Sequence, residues 1–205
     1  METKEYGGMD KSHWPRGPWD AEPDKVQWQD EATGLPCLIV RNGSGSLCGY
    51  VGVPPGHLAY GKDYGTGALD VDVHGGLTFA SQCADQSREA WERWRKHALA
   101  RKPEAEQYPN GDAAQLFREH ADAIESFDVW SKWSEASHVC HVPGPGEPDS
   151  VWWLGFDCAH SGDMTPSYAD RMPSFGGERA TYRDIGYVRK QVAGLARQLH
   201  AMVPA

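Results

Sequence analysis

The chain has 205 residues, 40% of them hydrophobic and 24% charged, with a formal net charge of −9. That length and balance fit one globular domain, or a domain with a small insertion, and exclude a disordered chain. The acidic surplus argues against binding bulk nucleic acid, which needs a basic surface, but leaves room for a local basic pocket around a small anion.

Nine tryptophans imply large aromatic burial or an aromatic-lined cleft. The five cysteines, at 37, 48, 83, 140 and 158, are odd in number and form no C-x-x-C pair. They predict reduced thiols rather than a disulfide framework. The first residues, METKEYGGMDKSH, contain no apolar signal core, and no stretch approaches a membrane span. The expectation is a cytoplasmic protein with no membrane partner.

Residues 1–25 are polar and rich in Gly, Pro and Trp. They read as an extended arm, with Trp14 and Trp19 placed to pin it to the body. Residues 26–205 read as a single α+β domain with a helical insertion near 85–135. Two β-prone runs, 36–41 and 47–53, flank the turn-rich pentapeptide Asn42-Gly43-Ser44-Gly45-Ser46 and predict a hairpin. Residues 69–74 alternate as a strand would. Leu69, Val71 and Val73 share one face, and Asp70, Asp72 and His74 the other. After Gly75-Gly76, Leu77-Thr78-Phe79 forms a second extended piece.

Helices are predicted over 87–101 and 112–127, with 102–111 as the loop between them because it carries Pro103, Pro109 and Gly111. Residues 138–142 and 151–158 read as strands, and 161–180 as a long aperiodic loop. Ile185, Val188, Val192, Leu195, Leu199 and Met202 step by three and four along a final amphipathic helix. Thr181 and Asp184 open it, and Arg183, Lys190 and Arg197 fall on its solvated face. The pattern is α+β: about six strands in a mostly antiparallel sheet, about three helices, and the C-terminal amphipathic helix packed on the sheet.

The chemistry-bearing residues collect at expected strand ends. In VWWLGFDCAHSGD, residues 151–163, an apolar run delivers Asp157, His160 and Asp163. In DVDVHGG, residues 70–76, His74 precedes Gly75 and Gly76, whose lack of a side chain lets a ligand come close. His74, Asp157, His160 and Asp163 are therefore the candidate catalytic residues. His57, Gly75, Gly76, Thr78, Tyr182 and Arg183 are candidates for contacting substrate. The set has two uses: holding a divalent metal, or metal-free acid–base work with an Asp orienting an imidazole. No standard metal spacing is present. Taken singly, each residue also has a purely structural reading: Asp157 as a turn cap, Asp70 and Asp72 as a solvent face, His74 as a satisfied core residue.

His138-Val139-Cys140-His141 invites a zinc reading, but alternation would turn His141 away from the other two, so a plain strand is expected. Residues 174–179, ahead of Tyr182, Arg183 and the last helix, read either as an anion site or as the approach to an ordinary capped helix with exposed arginines, the latter being favoured.

The blocks GYVGVPPGH, VDVHGGLTF, VWWLGFDCAHSGD and YRDIGYVRKQVAGLARQL resemble a family of phage and prophage proteins that carries no assigned activity. The resemblance spans most of residues 47–200 outside the helical middle. It implies a role in handling nucleotides, nucleic acid or host defence signals. The leading expectation is a small phage-type hydrolase acting on a nucleotide-like, phosphate-containing ligand such as a cyclic nucleotide. The alternatives are an anti-defence protein that binds and sequesters such a signal without catalysis, and a phage structural or host-interaction protein.

Overall fold

Six antiparallel strands form one sheet in the order β1-β2-β3-β4-β6-β5. They are β1 (Lys4–Tyr6), β2 (Lys25–Gln29), β3 (Pro36–Arg41), β4 (Leu47–Val53), β5 (Phe79–Gln82) and β6 (Trp152–Asp157). This computed structural model describes residues 2–67, 69–83, 87–137, 139–142, 150–171 and 180–202. The chain divides into two compact units. One comprises Met1–Cys83 with Ala136–Ala205, and the other Ala84–Glu135.

The sheet unit is layered by strand alternation. Cys37 and Ile39 of β3, Leu47, Val51 and Val53 of β4, and Leu154 and Phe156 of β6 join one buried cluster. It is completed by Val188, Val192, Leu195, Ala196 and Leu199 of helix α5 (Ile185–His200). The intervening residues Leu38, Val40, Cys48, Tyr50 and Trp153 build the second face with Val151. α5 starts where Asp184 accepts a hydrogen bond from the Tyr187 N–H, 2.7 Å away. It seats closely because Gly49 of β4 has no side chain. A Cβ there would come within 2.6 Å of both Val192 Cγ2 and the Phe156 ring.

Several sequence expectations are corrected here. In residues 1–25 Trp14 and Trp19 are buried, and the segment adds a short strand, β1, which pairs with β2. Residues 69–73 keep their alternation of exposure but join no ladder. The helix side chains hold them instead. Gln198 Oε1 accepts from Asp72 N (2.7 Å) and its Nε2 donates to Asp72 O (2.7 Å), while Gln191 Oε1 accepts from His74 N (3.2 Å). Residues 139–142 are not a strand; the Gln27 amide reaches out of β2 to the Val142 backbone in their place. His138 lies outside the described residues. The thiol expectation also fails for two cysteines: Cys83 and Cys140 form a disulfide, leaving Cys37, Cys48 and Cys158 free and buried.

The helical unit contains α1 (Arg88–Ala100), α2 (Lys102–Gln107) and α3 (Asp112–Glu125), and α4 (Phe127–Ser137) follows them. α2 occupies what was expected to be loop, with Pro103 tolerated in its first turn, where the missing N–H costs nothing. Ala98, Ala123, Ile124 and Trp130 are buried. Trp91 Nε1 and Arg95 Nε donate to the carbonyls of Ala123 (2.9 Å) and Ile124 (2.8 Å), tying α1 to the end of α3. α3 is kinked at His120, where φ is −127°. Among the described residues no helix is long and apolar enough to cross a membrane.

Candidate functional site

The site begins where β6 stops. The Cys158 N–H makes the last ladder bond, to Leu47 O (3.0 Å), and Asp157 Oδ1 accepts from Ala159 N (3.0 Å), turning the chain off the sheet. The next four residues close on themselves. The Asp163 N–H donates to His160 O (2.9 Å), and Asp163 Oδ2 accepts from the His160 N–H (3.1 Å). A short parallel bridge between Asp163 and Thr181 then brings the start of α5 alongside.

His74 arrives from the other segment. Its Nε2 lies 2.7 Å from Asp163 Oδ2 and its Nδ1 3.0 Å from the Tyr187 hydroxyl. The carboxylate can only accept, so Nε2 carries the proton. In the neutral ring Nδ1 then accepts from Tyr187. Arg183 Nε donates to Asp163 Oδ1 at 2.8 Å, and its guanidinium lies 4.8 Å from the centre of the Tyr187 ring. Asp163 is 2% exposed. Burial pushes its carboxyl up, but the bonds from Arg183, His74 and the His160 N–H outweigh it and hold the group below the usual carboxylate value.

His160 is the looser member. Its ring meets that of His74 edge-on at 5.5 Å, and its Nδ1 lies 3.7 Å from Asp157 Oδ1 and 3.9 Å from Asp163 Oδ2. That nitrogen is buried and makes no hydrogen bond. The ring lies against Gly75, where φ is +67° and an added Cβ would land on the imidazole.

His74, Asp157, His160, Asp163, Gly75 and Arg183 thus come together. Three other candidates do not join them. His57 accepts from Ala59 N at Nδ1 (3.0 Å) and meets Leu199 O through Nε2 (3.0 Å), closing the far end of α5. Twelve residues of helix, about 18 Å, separate Leu199 from Tyr187. Tyr182 turns its hydroxyl to Glu22 (2.5 Å) and Arg41 (2.9 Å). Thr78 extends the β5–β6 pairing through its N–H to Gly155 O (2.9 Å). Gly76, with φ +84°, completes the turn after His74. The suggested anion loop at 174–179 lies outside the described residues.

Tyr187, Gln191 and Gln198 were not singled out from the sequence. The available signal was spacing: Tyr187 lies four residues after Arg183, and the glutamines are seven apart on α5.

Chemically, the arrangement offers a positioned imidazole, a buried carboxylate and a nearby guanidinium. His74, His160 and Asp163 place one ligand atom each within 4.8 Å of the others; Cys83, Cys140 and His141 do too, but the first two are bonded to each other in the disulfide. Thiolate chemistry is disfavoured beside the site, because burial, followed by the charge of Asp163, pushes the Cys158 thiol far up. Compared with protein-family models, curated proteins and solved structures, the chain matches none.

Proposed function

We propose that the chain is a small phage-type hydrolase acting on a phosphate-containing small molecule such as a nucleotide or cyclic nucleotide signal. The observation that carries this reading is the convergence of His74, His160 and Asp163, from two separate segments, beside Arg183. Hydrolysis at phosphorus needs an activated water and positive charge facing the phosphoryl oxygens. The His/Asp cluster is suited to the first task. Arg183 is suited to the second, because it commits only Nε to Asp163 among the described residues and a guanidinium has further donors to offer an anion. The test is a turnover screen over phosphomonoesters, nucleotides and cyclic nucleotides. Activity that drops by orders of magnitude in His74→Ala supports the reading. Activity unchanged in both His74→Ala and His160→Ala refutes it.

A second reading, sequestration without catalysis, is favoured by one fact: both ring nitrogens of His74 already have partners. Ligand recovered intact after denaturing the complex would select it, and recovered product would eliminate it.

A further inference from the structure

We infer that His74 Nε2, His160 Nδ1 and Asp163 Oδ2 hold a divalent transition metal of the zinc class, with a fourth position open to water. The inference deepens the hydrolase reading and rests on the same cluster, to which it adds a means of activating water. The first argument is geometric. Around a tetrahedral metal with bonds near 2.0–2.1 Å, ligand atoms sit about 3.3 Å apart. Here the separations are 2.7 Å (His74 Nε2 to Asp163 Oδ2) and 3.9 Å (His160 Nδ1 to Asp163 Oδ2), and the three residues keep their ligand atoms within 4.8 Å of one another. The values bracket the required spacing, so the hydrogen-bonded pair opens and the longer separation contracts by a few tenths of an ångström.

The second argument is independent of the first. His160 Nδ1 is a buried polar atom with no hydrogen bond, facing two carboxylates. An unsatisfied group of this kind is costly, and a cation among these donors removes the cost. The donor types, two imidazoles and one carboxylate, suit a borderline metal better than calcium or magnesium, which prefer oxygen alone.

The surroundings supply the outer support that such sites use. Arg183 fixes the second oxygen of Asp163. Tyr187 fixes the second nitrogen of His74. Metal binding at Nε2 expels its proton to solvent, and the neutral ring takes one at Nδ1. The Tyr187 hydroxyl then accepts where it had donated, at the same distance.

The test uses the full, disulfide-intact chain, stripped with a chelator and titrated with Zn²⁺ and Co²⁺, the bound metal being counted after dialysis. The expected result is one metal per chain and a visible cobalt spectrum without a sulfur charge-transfer band. In His160→Ala the affinity should fall on the order of tenfold or more. Asp163→Asn serves as a second variant and should weaken binding as well, and a thermal melt of each checks that it is folded. No retained metal, undiminished binding in folded His160→Ala, or a sulfur charge-transfer band placing the ion on a cysteine would each overturn the inference. Phosphate-ester turnover by metal-free protein would overturn the metal and leave the hydrolase standing. Stoichiometric metal without turnover of any phosphate compound would do the reverse.

Discussion

At position 75 two constraints meet: a left-handed backbone and an imidazole packed against the α-carbon. Gly75→Ala violates both. It should cost about 1–3 kcal/mol in urea unfolding, because the strained φ and the displaced His160 ring act together. Gly76→Ala faces open space and should show only the backbone part. Tyr187→Phe isolates a single hydroxyl. The loss of its bond to His74 should change stability by only about 0.5–1.5 kcal/mol. A larger loss would mean that the phenol does more than make that bond. His74, His160 and Asp163 were legible as candidates because titratable residues at the end of an apolar run are conspicuous. Tyr187 was not, since its role depends on which way α5 rolls on the sheet. Arg183 was expected on a solvated face, yet Asp163 holds it from below.

Among the elements, α5 shows the strongest agreement between sequence and structure. Its apolar residues step at helical intervals, and those are the residues that fill the core over β3, β4 and β6. Asp184→Ala removes the cap and should cost about 1 kcal/mol, read as a shift in the denaturation midpoint. The β3–β4 hairpin was equally plain. β2 was passed over although Lys25-Val26-Gln27-Trp28-Gln29 alternates as a strand does; what the pattern could not show is that the polar face, Lys25 and Gln27, is buried as fully as Val26. The 69–74 segment shows the converse failure: alternation was real, but it reflects docking through Gln191 and Gln198 rather than strand pairing. In α3, burial lowers the His120 imidazole below its ordinary pKa. The folded unit therefore keeps it neutral while the unfolded chain takes up a proton as pH falls through about 6.5. The helical unit should lose stability from there down to the lowered folded value. Thermal melts at pH 7.5 and 5 should show that loss, and His120→Gln should reduce it.

For the whole molecule, the governing feature is where the disulfide lies. Cys83 and Cys140, 57 positions apart, flank the helical unit at its exit from the sheet unit and its return. An odd cysteine count hid this pair, because parity says nothing about which thiols are neighbours. Closing a loop of that length should contribute about 4 kcal/mol on chain-entropy grounds, so reduction or Cys83→Ser should lower the melting temperature markedly. Replacing residues 84–135 with a short Gly/Ser linker should leave the sheet unit folded. Loss of cooperative unfolding in that shortened chain would show that the two units depend on each other. The N-terminal segment carries a different kind of connection. The Glu22 carboxylate receives Arg41 of β3, the Tyr182 hydroxyl and the Ile185 N–H that opens α5. One side chain near the beginning of the chain thus acts as a peg for a helix that starts more than 160 positions later. Proteolytic trimming of the first two dozen residues would be felt as a loosened α5 and a slackened His74–Tyr187 contact, so the intactness of one terminus becomes a readout for the other.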